Sequence, residues 1–119
     1  TCALPICGSI VMMSSILAKV GAMNLSALSA AHGGVNLLAK AGACELGPEK
    51  IRVNSIHPGL VDTYSENSFA DEEFIKNNIP FNRLATPEEV AETVRFLVSD
   101  ESIFMTGAEL TIDGGMIAQ

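Results

Sequence analysis

Segments that read as strand alternate with segments that read as helix along this chain, and that alternation constrains the fold more than any other feature of the sequence. Ser9-Ile-Val-Met-Met-Ser14 is a short apolar run between Gly8 and Ser14-Ser15, the pattern of a buried strand. Ser26 to Leu46 has the spacing of a long helix. Val35, Leu38, Ala39, Gly42 and Leu46 recur on one face, and Leu37, Ala41 and Cys44 form a second apolar face. A helix apolar on two sides needs two partners: the sheet on one side, and a further helix or a second subunit on the other. Gly47-Pro48 is expected to stop it, with Gly47 in the left-handed cap conformation and Pro48 unable to continue. Ile51-Arg-Val-Asn-Ser-Ile56 is β-branched and alternating, a second strand that His57-Pro58-Gly59 ends. Residues 60–70 read as a loop, and 71–78 as a short helix whose acidic start suits the helix dipole. Thr86-Pro87-Glu88-Glu89 places Thr at an N-cap, Pro in the first turn and Glu at the capping-box position, and Val90, Val94, Leu97 and Val98 follow at helical spacing. Glu109-Leu-Thr-Ile-Asp113 alternates again and Gly114-Gly115 closes it, a third strand.

Strand–helix–strand units close through right-handed crossovers, so this order predicts an α/β fold, a parallel sheet covered by helices, in a single domain over residues 1–119. Hydrophobic residues make up 48% of the chain, but aromatics only 5% with no Trp, so the core must be aliphatic. A net charge of −7 and a pI near 4.6 oppose phosphate backbones and anionic lipid, so neither nucleic acid nor a membrane is an expected partner. No apolar run approaches the length of a membrane span. Cys2, Cys7 and Cys44 have neither metal-ligand spacing nor a disulfide framework; no metal is expected, and a reducing cytoplasm is the expected compartment. The first residues lack the charged, apolar and small-residue regions of a signal peptide, and the absence of an initiator Met suggests a trimmed or excised chain.

Four blocks carry a family resemblance: Ser9-Ile-Val-Met-Met-Ser-Ser15, Ile51-Arg-Val-Asn-Ser-Ile-His-Pro-Gly-Leu-Val-Asp-Thr63, Arg83-Leu-Ala-Thr-Pro-Glu-Glu-Val90 and Thr106-Gly-Ala-Glu-Leu-Thr-Ile-Asp-Gly-Gly115. In this order and at these gaps they resemble the C-terminal half of a short-chain dehydrogenase/reductase, most of all the bacterial alcohol and hydroxysteroid dehydrogenases. The resemblance covers nearly the whole chain. It implies a partial Rossmann-like fold, three parallel strands with flanking helices, with the N-terminal cofactor-binding half absent. It also implies NAD or NADP as the family's cofactor and alcohol/carbonyl oxidoreduction as its reaction.

In that family a Ser, a Tyr and a Lys, helped by an Asn, move the proton that accompanies hydride transfer. The Lys lies one helical turn from the Tyr, lowers its pKa and holds the nicotinamide ribose, and the Ser polarises the substrate oxygen. Ser15 matches the Ser. Leu28, thirteen positions on, stands where the Tyr belongs, and His32 where the Lys belongs. Leu has no proton to transfer, and loss of such a group removes a factor of about 10²–10⁴ or more. His32 retains the option of a weak ribose contact. Pro58-Gly59-Leu60-Val61-Asp62-Thr63 matches the block that floors the nicotinamide pocket, where the backbone at Val61 and Thr63 would meet the carboxamide and Gly59 would permit close approach. The Gly-rich strand–turn–helix that cradles a pyrophosphate is missing, since Gly33-Gly34 and Gly114-Gly115 have neither its spacing nor its context, and the helper Asn is missing too. Tight cofactor binding is therefore not expected.

Other readings of these residues are weaker. Ser15 has no Gly-x-Ser-x-Gly elbow for a hydrolytic triad with His32. Tyr64, the only tyrosine, sits in the loop expected over a substrate without a rigid helix beside a cation, and Lys19 is no better a stand-in. Asp71-Glu72-Glu73 reads as a solvated helix start. Three functions follow: a catalytically silent relative or pseudoenzyme, the C-terminal part of a longer or split enzyme, or a module that joins family subunits in a mixed oligomer. The first strand should have one open edge, and the family associates through the long helix and the last strand. A homo-oligomer, or association with subunits of the same family, is the expected assembly.

Overall fold

The structure, a computed structural model, describes residues 7–63 and 70–119. One parallel sheet runs in the order β1 (Gly8–Met13), β2 (Ile51–Pro58), β3 (Glu109–Ile112). Helix α1 (Ser26–Leu46) links β1 to β2. Helices α2 (Glu72–Asn78) and α3 (Pro87–Val98) lie between β2 and β3. The expected α/β fragment is thus present.

The core sits on β2, where Val53, Asn54, Ser55, Ile56 and His57 are all buried. Side chains alternate across a strand, so consecutive residues of β2 serve different layers. Val53 packs on Ala39 and Ala43 of α1, with Met12 and Leu46 beside them. Ile56 packs on Val90 and Leu97 of α3, with Val11, Leu110 and Ile112 around it. The helices therefore cover opposite faces of the sheet. Burying a side chain such as Ile56 contributes about 1.5–3 kcal/mol. The α1 face is made of small residues, and a β-carbon on Gly42 would already lie 3.5 Å from both methyls of Val53.

Polar groups in this core are bonded, as burial requires. Asn54 donates to the Met105 carbonyl (2.9 Å) and accepts from the Ala108 amide (2.9 Å). Arg52 donates to Ser102 Oγ (3.1 Å) and to the carbonyls of Met105 (3.3 Å) and Ser99 (3.1 Å). These bonds fix the turn that carries the chain from α3 into β3.

Several expectations need correcting. Gly47 is not a left-handed cap: its φ is −55°, and α1 runs on into a 3-10 turn over Gly47–Glu49. Pro48 is tolerated there because its fixed φ suits the first positions of a helical turn. Lys50, at φ 59°, makes the reversal into β2. His57 and Pro58 do not end the second strand but belong to it, with Pro58 in register with Ile112. The first strand begins at Gly8 and ends at Met13, and the third ends at Ile112. Leu38 is 59% exposed and is not on the sheet face of α1; the buried stripe runs through Ala39 and Ala43. Leu37, of the second apolar face, is 67% exposed, so no described residue covers that face. Cys2, Tyr64 and most of the expected 60–70 loop lie outside the described residues.

Candidate functional site

In an open parallel sheet, ligands bind beyond the carboxyl ends of the strands. Here those ends are Met13, Pro58 and Ile112, followed by Ser14-Ser15, Gly59 and Asp113-Gly114. The Ser14 amide donates to the Ile56 carbonyl (2.9 Å), which extends the β1–β2 ladder by one residue. Ser15 then leaves the sheet with φ −154° and ψ 161° and caps a 3-10 turn over Ile16–Ala18, its Oγ accepting from the Leu17 amide (3.2 Å).

Helix α1 passes over this end. Ser14 Oγ donates to the His32 carbonyl (3.1 Å), which ties the strand end to the second turn of the helix. His32 is partly buried, and its Nδ1 has no hydrogen-bond partner; the Ser29 hydroxyl one turn earlier is likewise buried and unpartnered. Leu28 lies one turn before His32 and is 45% exposed. One turn apart on this helix thus stand an aliphatic side chain and an imidazole.

After β2 the chain is held against the segment before α3. Val61 forms a parallel bridge with Ala85, the Asp62 amide donates to the Ala85 carbonyl (2.8 Å) and the Ala85 amide to the Leu60 carbonyl (3.0 Å). The Thr63 amide donates to the Val61 carbonyl (2.9 Å). Gly59 does make a close approach, to Asp113: a β-carbon at 59 would lie 2.9 Å from its β-carbon and 3.0 Å from its Cα. Packing of the β2 end on the β3 end is therefore reason enough for glycine there. The Asp113 carboxylate in turn accepts from the amides of Gly115 and Ile117 (both 2.9 Å) and fixes the terminal turn.

Sequence reasoning missed a buried polar chain behind this end of the sheet. His57 has no exposed surface; its Nδ1 is 3.0 Å from the Ser15 carbonyl and its Nε2 3.0 Å from Ser55 Oγ. Ser55 Oγ donates to Asn36 Oδ1 (3.1 Å). Near Asn36, Glu109 pairs with Lys19 (3.1 Å) and with Lys40. Lys40 above all, with Lys19 and Asn36, holds the Glu109 carboxyl at about 2 against the opposing effect of burial. Burial pushes the His57 imidazole below its ordinary value; the Ser15 carbonyl and Glu109 pull it up, and Lys19 and His32 push it down. The legible signal was Asn36 inside an apolar helix, together with Ser55 and His57 two apart on a strand.

The described residues do not fit a whole dinucleotide. Gly33 and Gly34 lie inside α1. Gly114 (φ 62°) and Gly115 (φ 90°) open no helix; β-carbons there would meet Ile79 at 2.9 Å and Pro80 at 3.1 Å, so their backbone faces protein rather than a phosphate. Among the described residues no group of three His, Cys, Asp or Glu could hold a metal ion, and no helix is long and apolar enough to cross a membrane.

Residues 3–117 match the family described as Enoyl-(Acyl carrier protein) reductase. The chain is 48% identical over 115 residues to a trans-4-hydroxycyclohexanecarboxylate dehydrogenase of Sinomonas cyclohexanicum, covering 93% of this chain and 42% of that protein. It is 43% identical over 107 residues to a cyclohexanol dehydrogenase of Acinetobacter sp. (strain SE19), covering 90% and 42%. Among solved structures, a short-chain type dehydrogenase/reductase from Mycobacterium ulcerans superposes with a TM-score of 0.90 at 33% identity, covering 96% of this chain and 43% of that one. A 4-hydroxyisoleucine dehydrogenase complexed with NADH gives 0.87 at 32% identity, covering 94% and 47%. The chain spans less than half the length of these relatives.

Proposed function

The chain belongs to the short-chain dehydrogenase/reductase family, and from that premise we propose that it is a catalytically silent member as this 119-residue chain. The carrying observation is Leu28, an aliphatic side chain 45% exposed on the first turns of α1, where the family resemblance asks for a proton-transferring phenol. His32, in the place of the Lys, keeps an unpartnered Nδ1 that supports a weak ribose contact and no more. In this reading Ser15 is a vestigial substrate-side hydroxyl, and Pro58, Gly59, Val61 and Thr63 are the remnant of a nicotinamide floor. NAD or NADP, the family's cofactor, is then not held tightly, because no phosphate cradle stands among the described residues.

The test is a titration of the purified chain with NADH and NADPH by cofactor fluorescence, with calorimetry as a check. Absence of saturable binding up to millimolar cofactor is the expected result. Saturable micromolar binding sinks the reading and makes His32 the first residue to mutate.

A second reading has its own support. Ile10 (40%) and Met13 (55%) on β1, and Leu37 (67%) and Leu38 (59%) on α1, leave apolar surface at an open strand edge and along a helix. This favours association: a homo-oligomer, a mixed oligomer with family subunits, or a preceding half in a longer or split enzyme that adds a strand beside β1. Light scattering and co-purification with a full-length relative separate these from a silent monomer.

A further inference from the structure

The chain of hydrogen bonds from Ser15 to Asn36 has a property that follows from counting protons. Its two ends, the Ser15 carbonyl and Asn36 Oδ1, can only accept. Between them lie three links: His57 to Ser15, His57 to Ser55 and Ser55 to Asn36. Each link needs one hydrogen. Asn36 presents its Oδ1 to Ser55, an orientation that the nearby Glu109 carboxylate favours, and the single Ser55 hydroxyl proton goes to Oδ1. The two remaining links must both be made by His57, one from each ring nitrogen. A neutral imidazole carries one N–H. With that proton on Nε2 the link to Ser15 is lost; on Nδ1, Ser55 must give up one of its two neighbours.

We propose that His57 is the positioning residue of the Ser15 turn, and that it holds the turn fully only when both ring nitrogens are protonated. The second proton completes an unbroken chain from the end of β1, through β2, to α1. Ser15 hangs on the end of that chain by its backbone, so its placement at the carboxyl ends of the strands responds to the His57 charge.

The surroundings set how readily the proton arrives. On the α1 side of β2, His57 feels Lys19 from the segment after β1, His32 from α1 and Glu109 from β3; Lys40 of α1 is paired to Glu109. Helix α3 packs on the other face of β2. Burial, Lys19 and His32 oppose protonation, while the Ser15 carbonyl and Glu109 favour it. At neutral pH the ring is therefore neutral and the chain has one gap, which acid closes. This inference stands apart from the silent-enzyme reading, because the links exist whether or not a cofactor binds.

The experiment is a pH titration of the imidazole ¹⁵N signals of the labelled chain, with the Ser15 carbonyl and Ile16 amide followed in the same samples. The expected result is one ring proton at neutral pH and two on the acid side of the ordinary value of 6.5, with Ser15 and Ile16 moving at the same midpoint. Ser55→Ala removes a bond that is stronger to the charged ring than to the neutral one, so it lowers the midpoint by about one pH unit or more. Ser55→Thr keeps the hydroxyl and restores it. Amide dispersion reports that each variant is folded. A midpoint unmoved in Ser55→Ala, Ser15 and Ile16 signals that ignore His57, or a ring that keeps a single proton down to acid unfolding would each overturn the proposal.

Discussion

Gly59 and Asp113 meet so closely that a β-carbon on the glycine would lie 2.9 Å from the β-carbon of the aspartate and 3.0 Å from its Cα. The second neighbour is backbone and cannot rotate away. Gly59→Ala must therefore push the end of β2 from the end of β3, and overpacking of that kind costs about 1–3 kcal/mol. Gly21→Ala is the control, since a β-carbon there meets nothing within 4 Å. Urea denaturation should give a clearly lower midpoint for Gly59→Ala and a change within about 0.5 kcal/mol for Gly21→Ala. Equal effects would mean that the Gly59 contact is not tight in solution.

Glu109 makes stability depend on acid. Its pKa is about 2 in the fold and 4.5 ordinarily, so the unfolded chain takes up the proton first as pH falls. The stabilisation is fully present above about pH 5 and is lost progressively as pH drops through 4.5 toward 2. The shift corresponds to roughly 3 kcal/mol, and screening around the half-exposed Lys40 leaves on the order of 1–2 kcal/mol. Glu109→Gln should be less stable than the parent at pH 7 by that amount and equal to it near pH 2. Glu89, also held at about 2, chiefly by its hydrogen bonds to Arg83, adds acid sensitivity to both proteins and cancels in the comparison. A gap between the two proteins that persists at low pH would show that Glu109 acts by packing rather than charge.

The start of α3 was legible to the residue. Thr86 accepts from the Glu89 amide (3.3 Å) and Glu89 returns a bond to the Thr86 amide (2.8 Å), the capping box that the sequence announces. Thr86→Ala should cost about 1 kcal/mol and Thr86→Ser much less, by thermal or urea unfolding. Parity of the two variants would mean that the hydroxyl contributes nothing.

What sequence reading recovered is what local chemistry determines. The α1 limits, the Thr86 cap and the strand at Ile51 follow from spacing and end signals within a few residues. Element order already implied a parallel sheet, and the resemblance, carried by four blocks in order, added its partial Rossmann-like character. The errors lie where a distant element decides. Gly47 reads as a terminal glycine until Lys50 is seen to take the left-handed turn instead. Leu38 has core-like spacing, but only the position of β2 shows that the stripe through Ala39 and Ala43 is the buried one. The chain from Ser15 through His57 and Ser55 to Asn36 joins residues from three segments, and no spacing rule links them. Gly59 is expected to permit close approach of a nicotinamide, and the contact it makes in the fold is with Asp113, from the far end of the sequence.

The substitution that most shapes the functional reading can be tested without cofactor. In a Tyr64→Phe background no native phenol remains, so a phenol introduced by Leu28→Tyr is the only one. Position 28 is 45% exposed, and position 32 lies one helical turn along the same face of α1. Leu28→Tyr alone should titrate near the ordinary value of about 10. Adding His32→Lys places an ammonium one turn away in a partly buried setting, which favours the phenolate and should lower the midpoint by at least about half a unit. Ultraviolet absorbance against pH reads this directly. A lowered midpoint would mean that the scaffold still has the geometry to activate a proton donor and that the side chains at 28 and 32 alone withhold it. An unchanged midpoint would place the defect in the scaffold around α1 as well, and restoring two residues would then not restore the chemistry.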